Sequence, residues 1–326
     1  NIKGAATGSF AMGGSSSDSE LSFALTIDEP RFSRLKAEQI KATGRYSDHR
    51  LYFEDFIGLT RTGEYRGEGY IPIDLDIKKD DADRWIESDP ISMNFTSRTS
   101  SMEFLSPFFT YIDSVIGTIE VDLSIEGTPA KPVRNGEINI TNGEVFYTWL
   151  DTPVSGINGR AFLKDNMLIV EELTATSNIP EDTNWGQNLR ANLARVYGGK
   201  LFREKKEEVR NNIRITGSMD MTSFFDPNLA LLIKGQNVYL RTLLGEIEGI
   251  GDIELSITGR DTINIAGDIV PEEAVLRMEF TGGKDYSEMP MKGGTVYNYR
   301  LNFPISDKLF VRNSQIDAEV SGNMSI

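Results

Sequence analysis

Residues 117–127 read Gly-Thr-Ile-Glu-Val-Asp-Leu-Ser-Ile-Glu-Gly. In an extended chain Ile119, Val121, Leu123 and Ile125 project to one side, and Thr118, Glu120, Asp122 and Ser124 to the other. That period of two belongs to a β-strand. A strand of a buried parallel sheet is apolar on both faces, so one wet face argues for an antiparallel sheet. The pattern recurs in Tyr70–Lys78 (Ile71, Ile73, Leu75, Ile77), in Asp252–Thr258 (Ile253, Leu255, Ile257) and in Ser22–Asp28. Shorter copies are Asn212–Thr216 (Ile213, Ile215), Thr262–Ala266 (Ile263, Ile265) and Gly136–Ile140 (Ile138, Ile140).

Working outward, glycine punctuates these strands. The tripeptide Ile/Val-x-Gly ends at Gly4, Gly127, Gly159, Gly217, Gly235, Gly249, Gly259, Gly267 and Gly322. Each glycine takes a place where the apolar face calls for another side chain, as at a turn or bulge. Asn135-Gly136 and Asn142-Gly143 read as hairpin dipeptides. The stretch Gly117–Gly127 also echoes Gly249–Gly259, Gly-Ile-Gly-Asp-Ile-Glu-Leu-Ser-Ile-Thr-Gly, with identity at five positions. An offset of 249 − 117 = 132 residues exceeds the repeat of a compact solenoid and suggests a multi-strand unit used twice.

Two stretches depart from the β pattern. Asp80–Ile112 reads as short helices or crossovers, with Phe104, Leu105, Phe108, Phe109 and Ile112 as one apolar face. Glu181–Asn212 is the best helical candidate, highly charged, and is expected as an insertion outside the sheet.

Composition narrows the chemistry. Among 326 residues there is no cysteine and one histidine, His49, so thiolate sites and multi-imidazole metal sites are excluded. A net charge of −15 argues against nucleic acid as a partner. No signal segment is present, and no apolar run approaches the roughly 20 residues of a spanning helix. Beginning at Asn1 rather than Met, the chain reads as a piece of something longer.

Catalytic signatures are missing: there is no Walker A loop, no His-Glu-x-x-His and no Gly-x-Ser-x-Gly. The cluster Gly63, Gly67, Gly69 lacks the βαβ context of a nucleotide loop. The carboxylate pairs Asp74/Asp76 and Glu120/Asp122 sit at period two, as on a solvated face. Asp74, Asp76, Asp80, Asp81 and Asp83 supply oxygen ligands but not the spacing of a Ca²⁺ loop. His49 reads as a surface residue at a strand start, and Arg31, Arg34, Lys36 and Lys41 as a weak basic cluster on a solvated face. The expectation is a protein that is not an enzyme and carries no cofactor or metal.

The apolar face is the informative feature. Burying each Ile, Val or Leu side chain is worth roughly 1.5–3 kcal/mol. Left wet, they form a patch larger than soluble monomers tolerate. A second sheet, a curled sheet packed on its own side chains, or a trough holding an apolar ligand each resolves this, and the pattern leaves all three open.

A resemblance bears on the choice. The stretch from Gly117 to Tyr147, with Gly127-Thr128, Pro132, Gly136, Asn142 and Gly143, resembles the AsmA-like family, in particular its TamB-type (translocation and assembly module) members. Asp151–Ala175, with Pro153, Gly156 and Gly159, and the end Leu309–Gly322 also look like that family. So does the aromatic lead-in Phe104–Ile112. The likeness covers residues 104–175 and 245–326, about half of the chain.

The resemblance implies an all-β fold, a long twisted antiparallel sheet folded into an open, taco-like groove with a few short helices or insertions. It implies a conduit carrying phospholipid between the membranes of a diderm bacterium, in the periplasm. An inner-membrane anchor and an outer-membrane barrel partner of the BamA class would lie outside this chain. The expected organisation is one continuous β-groove over residues 1–326, with sub-units near 1–112, 113–245 and 246–326 and the insertion at 181–212. The expected acyl-chain contacts are Ile71, Ile73, Leu75, Ile77, Ile119, Val121, Leu123, Ile125, Ile138, Ile140, Ile213, Ile215, Ile253, Leu255, Ile257, Ile263 and Ile265. The other reading is a structural or adhesive β-sandwich or stalk with a dry core.

Overall fold

The computed structural model describes residues 2–15, 18–32, 35–75, 84–101, 112–147, 150, 152–177, 211–223, 226–241, 247–277 and 296–325. The chain is all-β, a single sheet of 17 strands with no helix among the described residues, as a long β-groove requires. The first half holds β1 (Ile2–Ser15), β2 (Asp18–Phe32), the two-residue β3 (Leu35–Lys36), β4 (Gln39–Ser47), β5 (Arg50–Thr60), β6 (Gly63–Pro72), β7 (Ser92–Ser101), β8 (Ile112–Thr128) and β9 (Lys131–Tyr147). The second holds β10 (Val154–Lys164), β11 (Met167–Thr176), β12 (Ile213–Asp220), β13 (Asn228–Arg241), β14 (Ile247–Gly259), β15 (Thr262–Leu276), β16 (Val296–Arg312) and β17 (Asp317–Ser325).

The sheet is a meander. β2 pairs with both β3 and β4, and from β4 onward each strand pairs with the next. Every pairing is antiparallel except β15–β16, which is parallel and departs from the simple antiparallel expectation. The ladder runs through both expected sub-unit boundaries, since β7 pairs with β8 and β13 with β14.

Tight turns join the strands at one rim. Asp48-His49 (φ 52° and 54°) closes β4–β5, and Asp165-Asn166 (φ 51° and 68°) closes β10–β11. Two positive φ values in a two-residue loop match the right-handed twist of the flanking strands. His49 is therefore a turn residue rather than the start of a strand.

Bulges interrupt alternate strands in a recognisable form. Phe53-Glu-Asp-Phe56, Ile140-Thr-Asn-Gly143, Val170-Glu-Glu-Leu173, Gly235-Gln-Asn-Val238 and Pro271-Glu-Glu-Ala274 lie at or beside register shifts of β5, β9, β11, β13 and β15. One extra residue lets two polar side chains pass outward in succession, so the flanking apolar pair stays on one face. Asn142-Gly143 thus lies in a bulge and Asn135-Gly136 inside β9, so neither is the hairpin turn its sequence suggests. Asn142 and Asn237 take φ 51°, which asparagine tolerates. Their N–H groups donate to the side chains of Asn158 and Asp252 on the next strand, at 2.9 Å each.

Three further expectations meet the structure. The strand expected over Tyr70–Lys78 ends at Pro72, which has no N–H to continue a ladder. Ile73 instead forms a lone bridge with Trp85, and the Leu75 N–H donates to the Tyr46 hydroxyl at 3.1 Å. Part of the region read as short helices or crossovers, Ser92–Ser101, is strand β7, and Ile112 opens β8. The helical insertion at 181–212 lies outside the described residues except for Asn211 and Asn212. The lead-in 104–111 and the acidic residues Asp76, Asp80, Asp81 and Asp83 also lie outside them.

Candidate functional site: an apolar row across fifteen strands

Residues directly opposite in a β-ladder project from the same face. Following the register therefore traces the floor of the sheet. Ala6 on β1 stands opposite Ile27, then Ile40, Gly58, Tyr65, Ser97 and Val121 on β8. The row continues through Ile138, Ala161, Val170, Gly217, Leu231, Ile257 and Ile265 to Tyr299 on β16. It crosses fifteen strands without a charged residue. At about 4.8 Å per strand it runs about 65–70 Å along the sheet.

Parallel rows flank it. One runs Leu25, Ala42, Phe56, Gly67, Phe95, Leu123, Gly136, Leu163, Leu168, Met219 and Leu229. Another runs Ile119, Ile140, Gly159, Leu173, Ile215, Ile233, Leu255, Gly267 and Leu301. Large side chains face small ones across the ladder. Gly44 lies between Phe23 and Phe53, Gly136 between Leu123 and Leu163, and Gly267 between Leu255 and Leu301. The internal echo survives here as geometry, with Leu123 opposite Gly136 and Leu255 opposite Gly267. The glycines make room on the floor. Gly67 and Gly69 belong to it as well, opposite Phe95 and Met93, and form no phosphate loop.

The opposite face is wet and charged. Arg98 pairs with Glu120 at 3.0 Å, Arg214 with Glu172 at 2.7 Å, and Lys234 with Glu254 at 2.7 Å. Glu120 and Asp122 thus stand on a solvated face. The faces also perturb titrating groups differently. On the apolar face, burial pushes the Tyr65 phenol up and the Arg134 guanidinium down. On the polar face, the Thr222 hydroxyl and N–H bond the Asp220 carboxyl and hold it below the usual carboxylate range. Glu64 likewise raises Arg66.

Arg134 closes the apolar face at the tight-turn rim, opposite Ile125. Its Nη1 donates to Asn166 Oδ1 at 3.0 Å and to the Met221 carbonyl at 3.3 Å. Asn166 Nδ2 returns a bond to the Pro132 carbonyl at 3.0 Å. Three hairpins are tied side by side at the rim in this way.

Of the seventeen expected contacts, the register places Ile71, Ile119, Val121, Leu123, Ile125, Ile138, Ile140, Ile213, Ile215, Ile253, Leu255, Ile257, Ile263 and Ile265 on this one face. Ile73 and Leu75 turn over the rim beyond Pro72, and Ile77 lies outside the described residues. Ile119 (1% exposed), Ile213 (6%) and Ile263 (7%) are sunk among their neighbours, whereas the others are half-buried. The expected contacts leave out the aromatic part of the floor, Phe23, Phe53, Phe56, Tyr65 and Phe95, although the alternation of Ser22–Asp28 already puts Phe23 on that face. The bulge at Glu54 spaces Phe53 and Phe56 by three, which hides their common face. Phe23 and Phe53 meet edge to face at 6.1 Å, and Phe53 and Phe56 at 6.4 Å.

Other candidates are dispersed. His49 Nδ1 lies 3.7 Å from Asp74 Oδ1. Arg31 stands opposite Lys36, Lys41 is exposed on β4, and Arg34 lies outside the described residues. Among the described residues no group of three or more carboxylates or histidines is placed to hold a metal ion. No protein-family model, curated protein or solved structure matches the chain.

Proposed function

We propose that the chain is a length of a periplasmic lipid-transfer conduit, whose apolar floor shields phospholipid acyl chains in transit between the inner and outer membranes. The observation that carries this reading is the uncharged row from Ala6 to Tyr299. A bilayer leaflet is about 15 Å deep in hydrocarbon, so the row is several acyl chains long. That length suits passage rather than capture of one ligand.

The energetics favour such a surface. Two acyl chains in water cost about 0.8 kcal/mol per CH₂, on the order of 20 kcal/mol after partial shielding. A barrier of that size permits roughly 10⁻² events per second. A continuous floor of Ile, Leu, Val and Phe replaces water along the path and lowers the barrier without a chemical step. Uniform lining serves better than one deep site, which would trap the lipid. The resemblance to TamB-type proteins supports the compartment, the inner-membrane anchor and a BamA-class barrel partner, the last two outside this chain.

Leu123→Arg and Leu255→Arg test the reading. Each puts a guanidinium on the floor opposite a glycine, Gly136 or Gly267. Expected is loss of lipid transfer with the β circular-dichroism signal kept. Photocrosslinkers at Val121 and Ile257 are expected to capture phospholipid in cells. Normal transfer by both variants, together with no lipid captured, refutes the conduit and leaves a dry structural sheet.

A further inference from the structure

Near the tight-turn rim the floor passes from apolar side chains to a guanidinium. The row Phe53, Gly69, Met93 and Ile125 continues onto Arg134 of β9. Arg134 stands beside the most closely packed patch of the floor, Ala161, Leu163, Leu168 and Val170, each 4–7% exposed. Its position is built by two other hairpins. Asn166, at φ 68° in the β10–β11 turn, accepts from the Arg134 N–H at 3.1 Å and from Nη1 at 3.0 Å. The Asn166 amide is itself held by the Pro132 carbonyl at 3.0 Å. The Met221 carbonyl, just past β12, takes a further bond from Nη1 at 3.3 Å. Both acceptors are neutral, so they set the plane of the guanidinium without neutralising it. The carboxylate of that last segment, Asp220, is on the wet face, where it meets Thr222 and Arg260.

Burial pushes this guanidinium down from its ordinary value, because its charge is drawn toward a dry surface. A fixed guanidinium fork suits a phosphate, and an apolar floor suits acyl chains. The two lie side by side here. From Arg134 to Ile140 is 140 − 134 = 6 residues of β9, about 20 Å of extended strand, with Gly136 and Ile138 at the floor positions between. The hydrocarbon of one bilayer leaflet is about 15 Å deep. Acyl chains that start at Arg134 therefore cross the floor and end near Ile140, short of Val145 toward the other rim.

We propose that Arg134 is a phosphate subsite of the conduit, at which a phospholipid lies across the sheet with its phosphodiester on the guanidinium and its acyl chains over Gly136 and Ile138 toward Ile140. The subsite rests on the lipid reading and gives the conduit a polarity, with the headgroup at the tight-turn rim.

Binding to the whole chain is measured with phosphatidylglycerol, with diacylglycerol carrying the same acyl chains, and with inorganic phosphate. The unmodified chain is expected to bind phosphatidylglycerol more tightly than diacylglycerol. Arg134→Gln is expected to weaken phosphatidylglycerol about tenfold or more and to leave diacylglycerol unchanged, which also shows the floor intact in that variant. Arg134→Lys is expected to keep part of the gain, since a point charge replaces a fork. Lys131→Gln, which removes an exposed cation from the same hairpin, is expected to change neither lipid. If Arg134→Gln weakens both lipids alike or neither, or if Lys131→Gln weakens phosphatidylglycerol equally, the subsite is overturned and the conduit reading stands. If the unmodified chain binds neither lipid, the conduit falls and the subsite with it. Arg134-dependent binding of inorganic phosphate as tight as that of phosphatidylglycerol overturns the assignment to a lipid. For the orientation, phosphatidylglycerol with photoreactive acyl-chain ends is expected to label Ile140 and Leu173 and to spare Ile125. Labelling spread evenly from rim to rim overturns it.

Discussion

Gly267 offers a quantitative test of how closely β14 and β15 approach. It lies in mid-strand on β15 between Leu255 and Leu301, at φ 148°. A β-carbon there would overlap the Glu254 carbonyl oxygen and come within 3.0 Å of the Leu255 Cα. Gly267→Ala therefore incurs two penalties. The backbone region is one that L-residues rarely adopt, which costs about 1–3 kcal/mol. Relieving the overlap moves β14 against β15, another 1–3 kcal/mol or so on the scale of overpacked cores. The expected total is about 2–6 kcal/mol. Gly322 separates the two contributions, because it has φ 144° but a β-carbon added to it would meet nothing within 4 Å. Gly322→Ala is expected to cost about 1–3 kcal/mol. Gly13→Ala has neither feature and is expected to be neutral or slightly stabilising. Amide hydrogen exchange is the suitable assay, since a long sheet opens locally and a global midpoint averages over it. Protection is compared in β14–β15 for Gly267→Ala, in β16–β17 for Gly322→Ala and in β1–β2 for Gly13→Ala. If Gly267→Ala and Gly322→Ala lose the same protection, the close approach of the β14 backbone to Gly267 has no measurable weight.

Removing Arg277 strands the Glu248 carboxylate, which is 1% exposed and bonded to it at 2.7 Å, so Arg277→Ala is expected to cost about 3–5 kcal/mol and Glu248→Gln less. Equal losses by exchange in β14 and β15 would contradict a charge-driven cost. On the wet face, a Lys234→Ala, Glu254→Ala double-mutant cycle is expected to give coupling below about 1 kcal/mol that fades in high salt. A larger, salt-insensitive coupling would place that pair in a dry environment. The Asp220 carboxyl lies below its ordinary range through its bonds to Thr222, so its contribution to stability is present above the unfolded carboxylate value and is lost as pH falls through the lower folded value. Thr222→Val is expected to move the Asp220 titration upward by NMR, and an unmoved titration refutes the assignment.

Much of the floor was legible because alternation is local. Ile119 to Ile125 and Ile253 to Ile257 declare a face with no knowledge of their partners, and those faces hold. The common face of Phe53 and Phe56 was illegible because Phe53-Glu-Asp-Phe56 carries an extra residue. A bulge is defined only against the strand beside it, and period two breaks at that point. The same reason turns Asn142-Gly143 from an expected hairpin into a bulge. At Pro72 the alternation Ile71, Ile73, Leu75 runs on, but the strand does not, because the missing N–H matters only once a neighbouring ladder needs it.

By itself the sequence determined that this is a sheet with one oily and one charged face, in a chain with no cysteine and a single histidine. These are properties of composition and of nearest neighbours along the chain. Only the tertiary structure decided that the faces join into one floor across fifteen strands and that β15 and β16 run parallel. Those are matters of register between segments distant in sequence, set by which side chain finds a glycine opposite it.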